Sequence, residues 1–200
     1  QCINQVGVGF LFAQRHHGAM KHAIGPRREL GVRTVLNVLG PLTNPASAPN
    51  QVLGVYSRYW VKPLADVLKQ LGSRHVMVVH ALDGLDEISI SSETYIAELK
   101  EGVVREYSIT PEDFGLTRAS LTSIKVDSTA DSFAMMQQVF SGAPSAARDI
   151  VCLNAGAALY TASKVTTHAA GVALAQQVID SGEAARRYQQ LVSLTQQFVL

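Results

Sequence analysis

Charge is scarce in this sequence. Charged side chains make up 16% of its 200 residues, against roughly a quarter in an ordinary soluble domain. The balance is also nearly even, 17 basic against 16 acidic residues, for a net charge of +1. A chain that must neutralise a bulk polyanion needs a clear basic excess, so DNA is not expected as an obligatory partner. Cysteine is rarer still. Cys2 and Cys152 cannot build a disulfide framework, so a reducing compartment, the cytoplasm, is expected. There is no initiating Met, no basic leader and no cleavage signature: residue 1 is Gln, which reads as the inside of a domain and predicts a fragment. The longest uncharged stretch, residues 34–57, contains Pro41, Pro45, Pro49, Asn37, Asn44 and Asn50, a set that excludes a lipid-facing helix. GxGxxG, GxxxxGK[ST] and GxSxG are absent, as is any Cys/His zinc spacing, so neither the familiar nucleotide loops nor an esterase elbow is supported.

What is present is apolar. Hydrophobic residues reach 47%, enough for one sizeable core and too few residues for two. Residues 51–57 (QVLGVYS) read as a strand. Residues 62–71 read as an amphipathic helix stopped by Gly72. Residues 75–80 (HVMVVH) form a continuous β-branched run, the pattern of a strand covered on both faces. A helix between two such strands is a βαβ unit with a parallel pair. Residues 94–99 and 103–107, separated by Lys100-Glu101-Gly102, read as a hairpin. Helices are predicted from Ser128 or Thr129 to 140, over 146–161, over 169–179 and from Glu183 onward. Residues 39–46 (LGPLTNPA) read as a rigid loop, Trp60 as packing, Cys152 as an inert buried thiol, and His75 and His168 as isolated core or surface histidines. The fold class is α/β, a mixed and mainly parallel sheet with helices on both faces.

Two places carry chemistry. Residues 1–33 hold Arg15, Lys21, Arg27, Arg28 and Arg33 against the single acid Glu29, with His16, His17 and His22 among them. An Arg there offers a planar fork that fits a carboxylate, although Arg28-Glu29 also reads as an ordinary surface pair. The second place follows the 75–80 strand: His80-Ala81-Leu82-Asp83-Gly84-Leu85-Asp86-Glu87. Open α/β sheets place their ligands at the carboxyl ends of parallel strands. Adjacent carboxylates at Asp86 and Glu87 repel each other, and a divalent cation relieves the conflict. Hard oxygen donors suit Mg2+, which also takes substrate phosphate oxygens. Residue types alone favour the plainer reading, a solvated turn with Asp83-Gly84 as turn chemistry.

Taken in order, GFLFA at 9–13, His17 through Met20, RRELGVRT at 27–34, NVLGPLTNP at 37–45, VVH at 78–80, GLDE at 84–87 and the Asn154-Ala155 helix resemble the anthranilate phosphoribosyltransferase family over the whole chain. The resemblance implies a nucleoside phosphorylase/phosphoribosyltransferase-like C-terminal α/β domain. It implies a reaction of tryptophan biosynthesis in which phosphoribosyl pyrophosphate and anthranilate are joined with Mg2+ and pyrophosphate leaves. It assigns Asp86 and Glu87 as magnesium ligands and Arg27, with Arg28 as second choice, as the anthranilate-carboxylate ligand. His17, Gln14 and Met20 become walls of the anthranilate path. No side chain is assigned as a catalytic base. Gly18, Gln14 and Ala81 depart from the residues common in the family, which points to loop variation. The family's N-terminal helical domain, through which it dimerises, and its Gly-rich phosphoribosyl pyrophosphate loop have no counterpart here. Residues 1–200 are therefore expected to be one catalytic-domain fragment, inactive alone and without the family dimer interface. Two rivals remain: a pyrimidine nucleoside phosphorylase-like enzyme, and a non-catalytic nucleic-acid-binding homologue.

Overall fold

The apolar run near residue 77 is the centre of the molecule. His75–Ala81 forms a strand, β2, whose Val76, Met77 and Val78 are fully buried. The computed structural model describes residues 1–11, 39–43 and 46–198. Asn50–Gly54, β1, runs parallel to β2, pairing Asn50 with His75 and Gly54 with Val79. Thr94–Lys100, β3, lies antiparallel on the other side of β2, and Val103–Ile109, β4, closes the sheet in the order β1-β2-β3-β4. The mixed sheet is borne out. The expected excess of parallel pairs is not: among the described residues one pair is parallel and two are antiparallel. The cause is local. Glu101 and Gly102 both take positive φ, 52° and 76°, the geometry of a two-residue hairpin turn whose twist suits the strands. It sends the chain straight back.

Alternation along β2 feeds two cores. Val76 and Val78 join Leu64, Ala65 and Leu68 of the helix Val61–Gln70 on one face. That helix buries positions 61, 64, 65 and 68, one stripe at helical spacing. Met77 and Val79 face the opposite core, with Cys152, Leu153 and Ala157 of the helix Ala146–Thr161. Numbered in chain order, the helices are α1 (Cys2–Val6), α2 (Leu39–Leu42), α3 (Val61–Gln70), α4 (Thr129–Phe140), α5 (Ala146–Thr161), α6 (His168–Asp180) and α7 (Glu183–Thr195). None among the described residues is long and apolar enough to cross a membrane. Ser128, Ser145 and Thr167 cap α4, α5 and α6 by accepting from the N–H of Asp131, Arg148 and Ala170 at 3.1 Å each. α5 and α6 cross where Gly156 meets Gly171, whose missing side chain would stand 2.2 Å from the Gly156 carbonyl oxygen. α1 docks on α7, and Arg187 Nη1 donates to the Val6 carbonyl at 2.8 Å.

Four smaller expectations resolve here. Residues 39–42 of the expected rigid loop wind into the short helix α2. Trp60 is half-buried, and its indole N–H donates to Tyr56 Oη at 3.0 Å. Cys152 is fully buried, and burial pushes its thiol up, as an inert thiol requires. His168 packs on Phe114 and bonds through Nε2 to the Leu153 carbonyl at 2.9 Å. Burial pushes its imidazole down, against that backbone bond.

His75 is not isolated. Its Nε2 lies 2.8 Å from Glu98 Oε1, and Tyr107 donates to Glu98 Oε2 at 3.0 Å. Burial raises the Glu98 carboxyl, but hydrogen bonds from Tyr160, His75 and Tyr107 outweigh it and leave Glu98 below its ordinary value of 4.5. A carboxyl lowered by folding adds stability above its unfolded value, and the gain is lost as pH falls through the folded value. Glu98→Gln is expected to cost about 1–3 kcal/mol at neutral pH. The gap from wild type should narrow as pH drops below 4.5, and urea midpoints measured against pH check this.

Candidate functional site

The acidic loop leaves β2 at its carboxyl end, beside the carboxyl end of β1, and returns as β3. Its base is closed by backbone bonds: Ala81 N–H to Leu85 O at 3.0 Å, Gly84 N–H to Ala81 O at 3.0 Å and Leu82 N–H to Glu93 O at 2.9 Å. Gly84 has φ +97°, a value that a side chain resists. The turn is held from inside by Asp83. Its carboxylate accepts from the hydroxyls of Ser89 and Ser91, and from Leu85 N–H at 3.1 Å. Burial would raise the Asp83 carboxyl, but these bonds together with Ser92 pull it below the usual range. An acid whose lone pairs are so filled acts as a structural brace. The turn reading suits Asp83.

Asp86 and Glu87 are exposed. The backbone around them is fixed from two sides. Asp86 lies against β1 so closely that a Cβ on Gly54 would sit 1.5 Å from the Asp86 carbonyl oxygen. On the other side, Ile88 is buried and its N–H and C=O are both met by one side chain. Asn154 Oδ1 accepts from Ile88 N–H, and Asn154 Nδ2 donates to Ile88 O, each at 2.9 Å. Glu87 stands at the rim of an apolar trough of about 380 Å3 lined by Leu85, Met135, Val139 and Ile150. Burial against that rim pushes the Glu87 carboxyl up, and the Asp86 charge pushes it the same way. Two carboxylates thus stand on adjacent residues, and the charge of one works against ionisation of the other.

The donor set fits a hard divalent ion of one particular kind. No group of three or more His, Cys, Asp and Glu able to hold a metal exists among the described residues, so an all-protein cage is excluded there. Mg2+ needs no cage: one or two carboxylates plus substrate phosphate oxygens and water suffice. Of the residues singled out in the sequence, the structure brings together Asp86 and Glu87. Gln14, His17, Met20, Arg27 and Arg28 lie outside the described residues. Sequence reasoning missed Gly54 and gave Asn154 no role. Gly54 had a signal, an isolated glycine inside a strand pattern, which marks close backbone approach. Asn154 stood only as part of the family-like series, and its contact was not legible, since its partner is 66 residues away.

Residues 1–185 match the glycosyl transferase family, a/b domain. The anthranilate phosphoribosyltransferase of Thioalkalivibrio sulfidiphilus is 64% identical over 195 residues, 98% of this chain and 58% of that protein. The corresponding protein of Methylococcus capsulatus is 58% identical over 197 residues, again 98% of this chain and 58% of the relative. The crystal structure of the Thermus thermophilus anthranilate phosphoribosyltransferase superposes with a TM-score of 0.88 at 42% identity, covering 96% of this chain and 57% of that one. The Saccharomyces cerevisiae enzyme in complex with PRPP and Mg superposes with a TM-score of 0.79 at 27% identity, over 89% of this chain and 51% of the other. The chain therefore spans little more than half the length of the relatives it matches.

Proposed function

The chain belongs to the glycosyl transferase family whose a/b domain it matches over residues 1–185, and on that premise we propose that the protein carrying it transfers the phosphoribosyl group of phosphoribosyl pyrophosphate to anthranilate. The observation that carries this reading is the Asp86–Glu87 pair, fixed between Gly54 and Asn154 at the carboxyl ends of a parallel pair of strands, in a chain 64% identical to a protein of that name. The relatives' names favour it over a nucleoside phosphorylase or a nucleic-acid-binding homologue.

In this reading Asp86 and Glu87 would hold Mg2+. Bound there, the cation would supply positive charge to offset the negative charge of the departing pyrophosphate. Arg27 receives the anthranilate carboxylate through its paired N–H donors. His17, Gln14 and Met20 line the approach of the ring. The anthranilate nitrogen forms a bond to C1′ as the C1′–oxygen bond to pyrophosphate breaks, and the amine then releases a proton. No strong base is needed, since C1′ becomes cation-like and the protein's work is to align the amine and stabilise charge. The 200 residues supply part of this active site as one catalytic domain of the reducing cytoplasm.

The test is steady-state turnover of anthranilate by the full-length protein. Asp86→Asn with Glu87→Gln is expected to lower kcat/KM for phosphoribosyl pyrophosphate about 100-fold or more and to flatten the Mg2+ dependence. Arg27→Ala is expected to raise the KM for anthranilate by about tenfold to 100-fold. Wild-type constants in both variants would overturn the reading.

A further inference from the structure

Asn154 sits in the middle of α5, where the buried residues around it, Ile150, Cys152, Leu153 and Ala157, are apolar. Its carboxamide has one acceptor oxygen and two N–H donors, and all three are committed. Oδ1 accepts from Ile88 N–H, and Nδ2 donates to Ile88 O and to Ile150 O, each at 2.9 Å. The two bonds to Ile88 reproduce what a neighbouring strand would give, at a place where the chain has left the sheet. The third bond, to the carbonyl one turn back on the same helix, fixes the side chain's rotamer. Ile88 is 1% exposed, so no solvent replaces these partners.

The helix that carries Asn154 is itself closely packed. Its Cys152, Leu153 and Ala157 are fully buried, and the Gly156–Gly171 crossing lets α6 press directly on its backbone. The residues before Ile88 are Glu87 and Asp86, and Asp86 meets Gly54 on the opposite side. Five further polar or charged side chains brace the same loop from the β2–β3 side, but they converge on Asp83 or on Ser89 and Thr94 rather than on residues 86–88. Within the described residues, Asn154 is the side chain from another element that grips the segment next to the acidic pair.

We propose that Asn154 is the positioning residue of the Asp86–Glu87 pair: by holding both backbone groups of Ile88 it sets where the two carboxylates stand, and so sets the affinity of the protein for a divalent cation. The proposal rests on the metal reading of that pair. It follows the general behaviour of groups that orient metal ligands, whose loss costs about 10- to 100-fold in affinity. Asn154 touches no reacting atom in this scheme and acts through the backbone of its neighbour.

The experiment is a titration of the full-length protein with Mn2+ alone, with free Mn2+ read by electron paramagnetic resonance, on wild type, Asn154→Leu, Leu153→Ala and Asp86→Asn/Glu87→Gln. Thermal melting is recorded for each. Asn154→Leu keeps the side chain's size and removes its three bonds; it is expected to raise the Mn2+ Kd about tenfold or more. Leu153→Ala truncates a core residue one position away and should lower the melting temperature with Kd within twofold of wild type. Should Asn154→Leu not fold, Asn154→Ser takes its place, since the space it opens lets water reach Ile88; the same rise in Kd is expected. A Kd within twofold of wild type in the Asn154 variant overturns the proposal. So does an equal rise in Leu153→Ala, which would make the effect one of general stability. If the double acidic variant binds Mn2+ as wild type does, the metal reading itself has failed and the proposal falls with it; if that variant loses the ion while the Asn154 variant keeps it, only the positioning role is lost.

Discussion

Replacing Gly54 with alanine is expected to lower Mg2+-dependent turnover about 100-fold while most of the fold survives. A Cβ at that position stands 1.5 Å from the carbonyl oxygen and 2.5 Å from the carbonyl carbon of Asp86. Both are backbone atoms, so no rotamer change relieves the overlap. Either the end of β1 or the loop must move by an ångström or more. β1 is held to β2 by a five-residue register and by Val55 N–H donating to Val79 O at 3.0 Å, so the loop yields. Displacement of that order at a ligand-bearing segment is enough to lose two orders of magnitude in rate. The accompanying loss of stability should be about 1–3 kcal/mol, the usual range for overpacking. Steady-state kinetics across a Mg2+ series, together with a melting curve, separates the two effects. A variant with wild-type kcat/KM would show that the loop tolerates displacement.

The second large effect belongs to the helix crossing. Gly171→Ala is expected to lose about 3 kcal/mol, or roughly 10 °C in melting temperature for a chain of this size. The sign makes this a sharp test. In a helix interior, alanine is normally preferred over glycine by about 1 kcal/mol, so propensity alone predicts a stabilised protein. Contact predicts the reverse. A Cβ on Gly171 meets the Gly156 carbonyl oxygen at 2.2 Å, and one on Gly156 meets the Val172 nitrogen at 2.6 Å. The axes of α5 and α6 must then separate, which opens the core around Cys152, Leu153 and Val172. A melting temperature at or above wild type would mean that the helices part without penalty.

Much of the architecture was legible because it rests on local pattern. The run at 75–80 announced a strand buried on both faces, and β2 is that strand. The stripe in 62–71 gave α3, and Ser128, one of two residues able to cap α4, does so. The hairpin was visible from the Lys100-Glu101-Gly102 break. Strand order was harder, because periodicity says which residues are buried and nothing of which strand lies next. The excess of parallel pairs expected from the βαβ unit gave way to two chain reversals, β2 into β3 and β3 into β4, for that reason. In the site, the acidic pair could be picked out by residue type, and the family resemblance sharpened the choice. The supports around it could not. Gly54 touching Asp86, Asn154 gripping Ile88 and Gly156 lying on Gly171 are meetings of residues remote in sequence. Each depends on a shape that exists only after the sheet and helices have assembled. Arg27, His17, Gln14 and Met20 lie outside the described residues, and their placement rests on the sequence and on the function proposed.

The docking of α1 on α7 brings together residues 181 positions apart. Closing so wide a loop is modest in equilibrium terms, since each doubling of length adds only about 0.6 kcal/mol. In time it is different. The contact gains nothing until the chain between its ends has been gathered, so it is expected to form after the local pairings around β2. A Val6 or Arg187 substitution at this seam should therefore speed unfolding more than it slows folding.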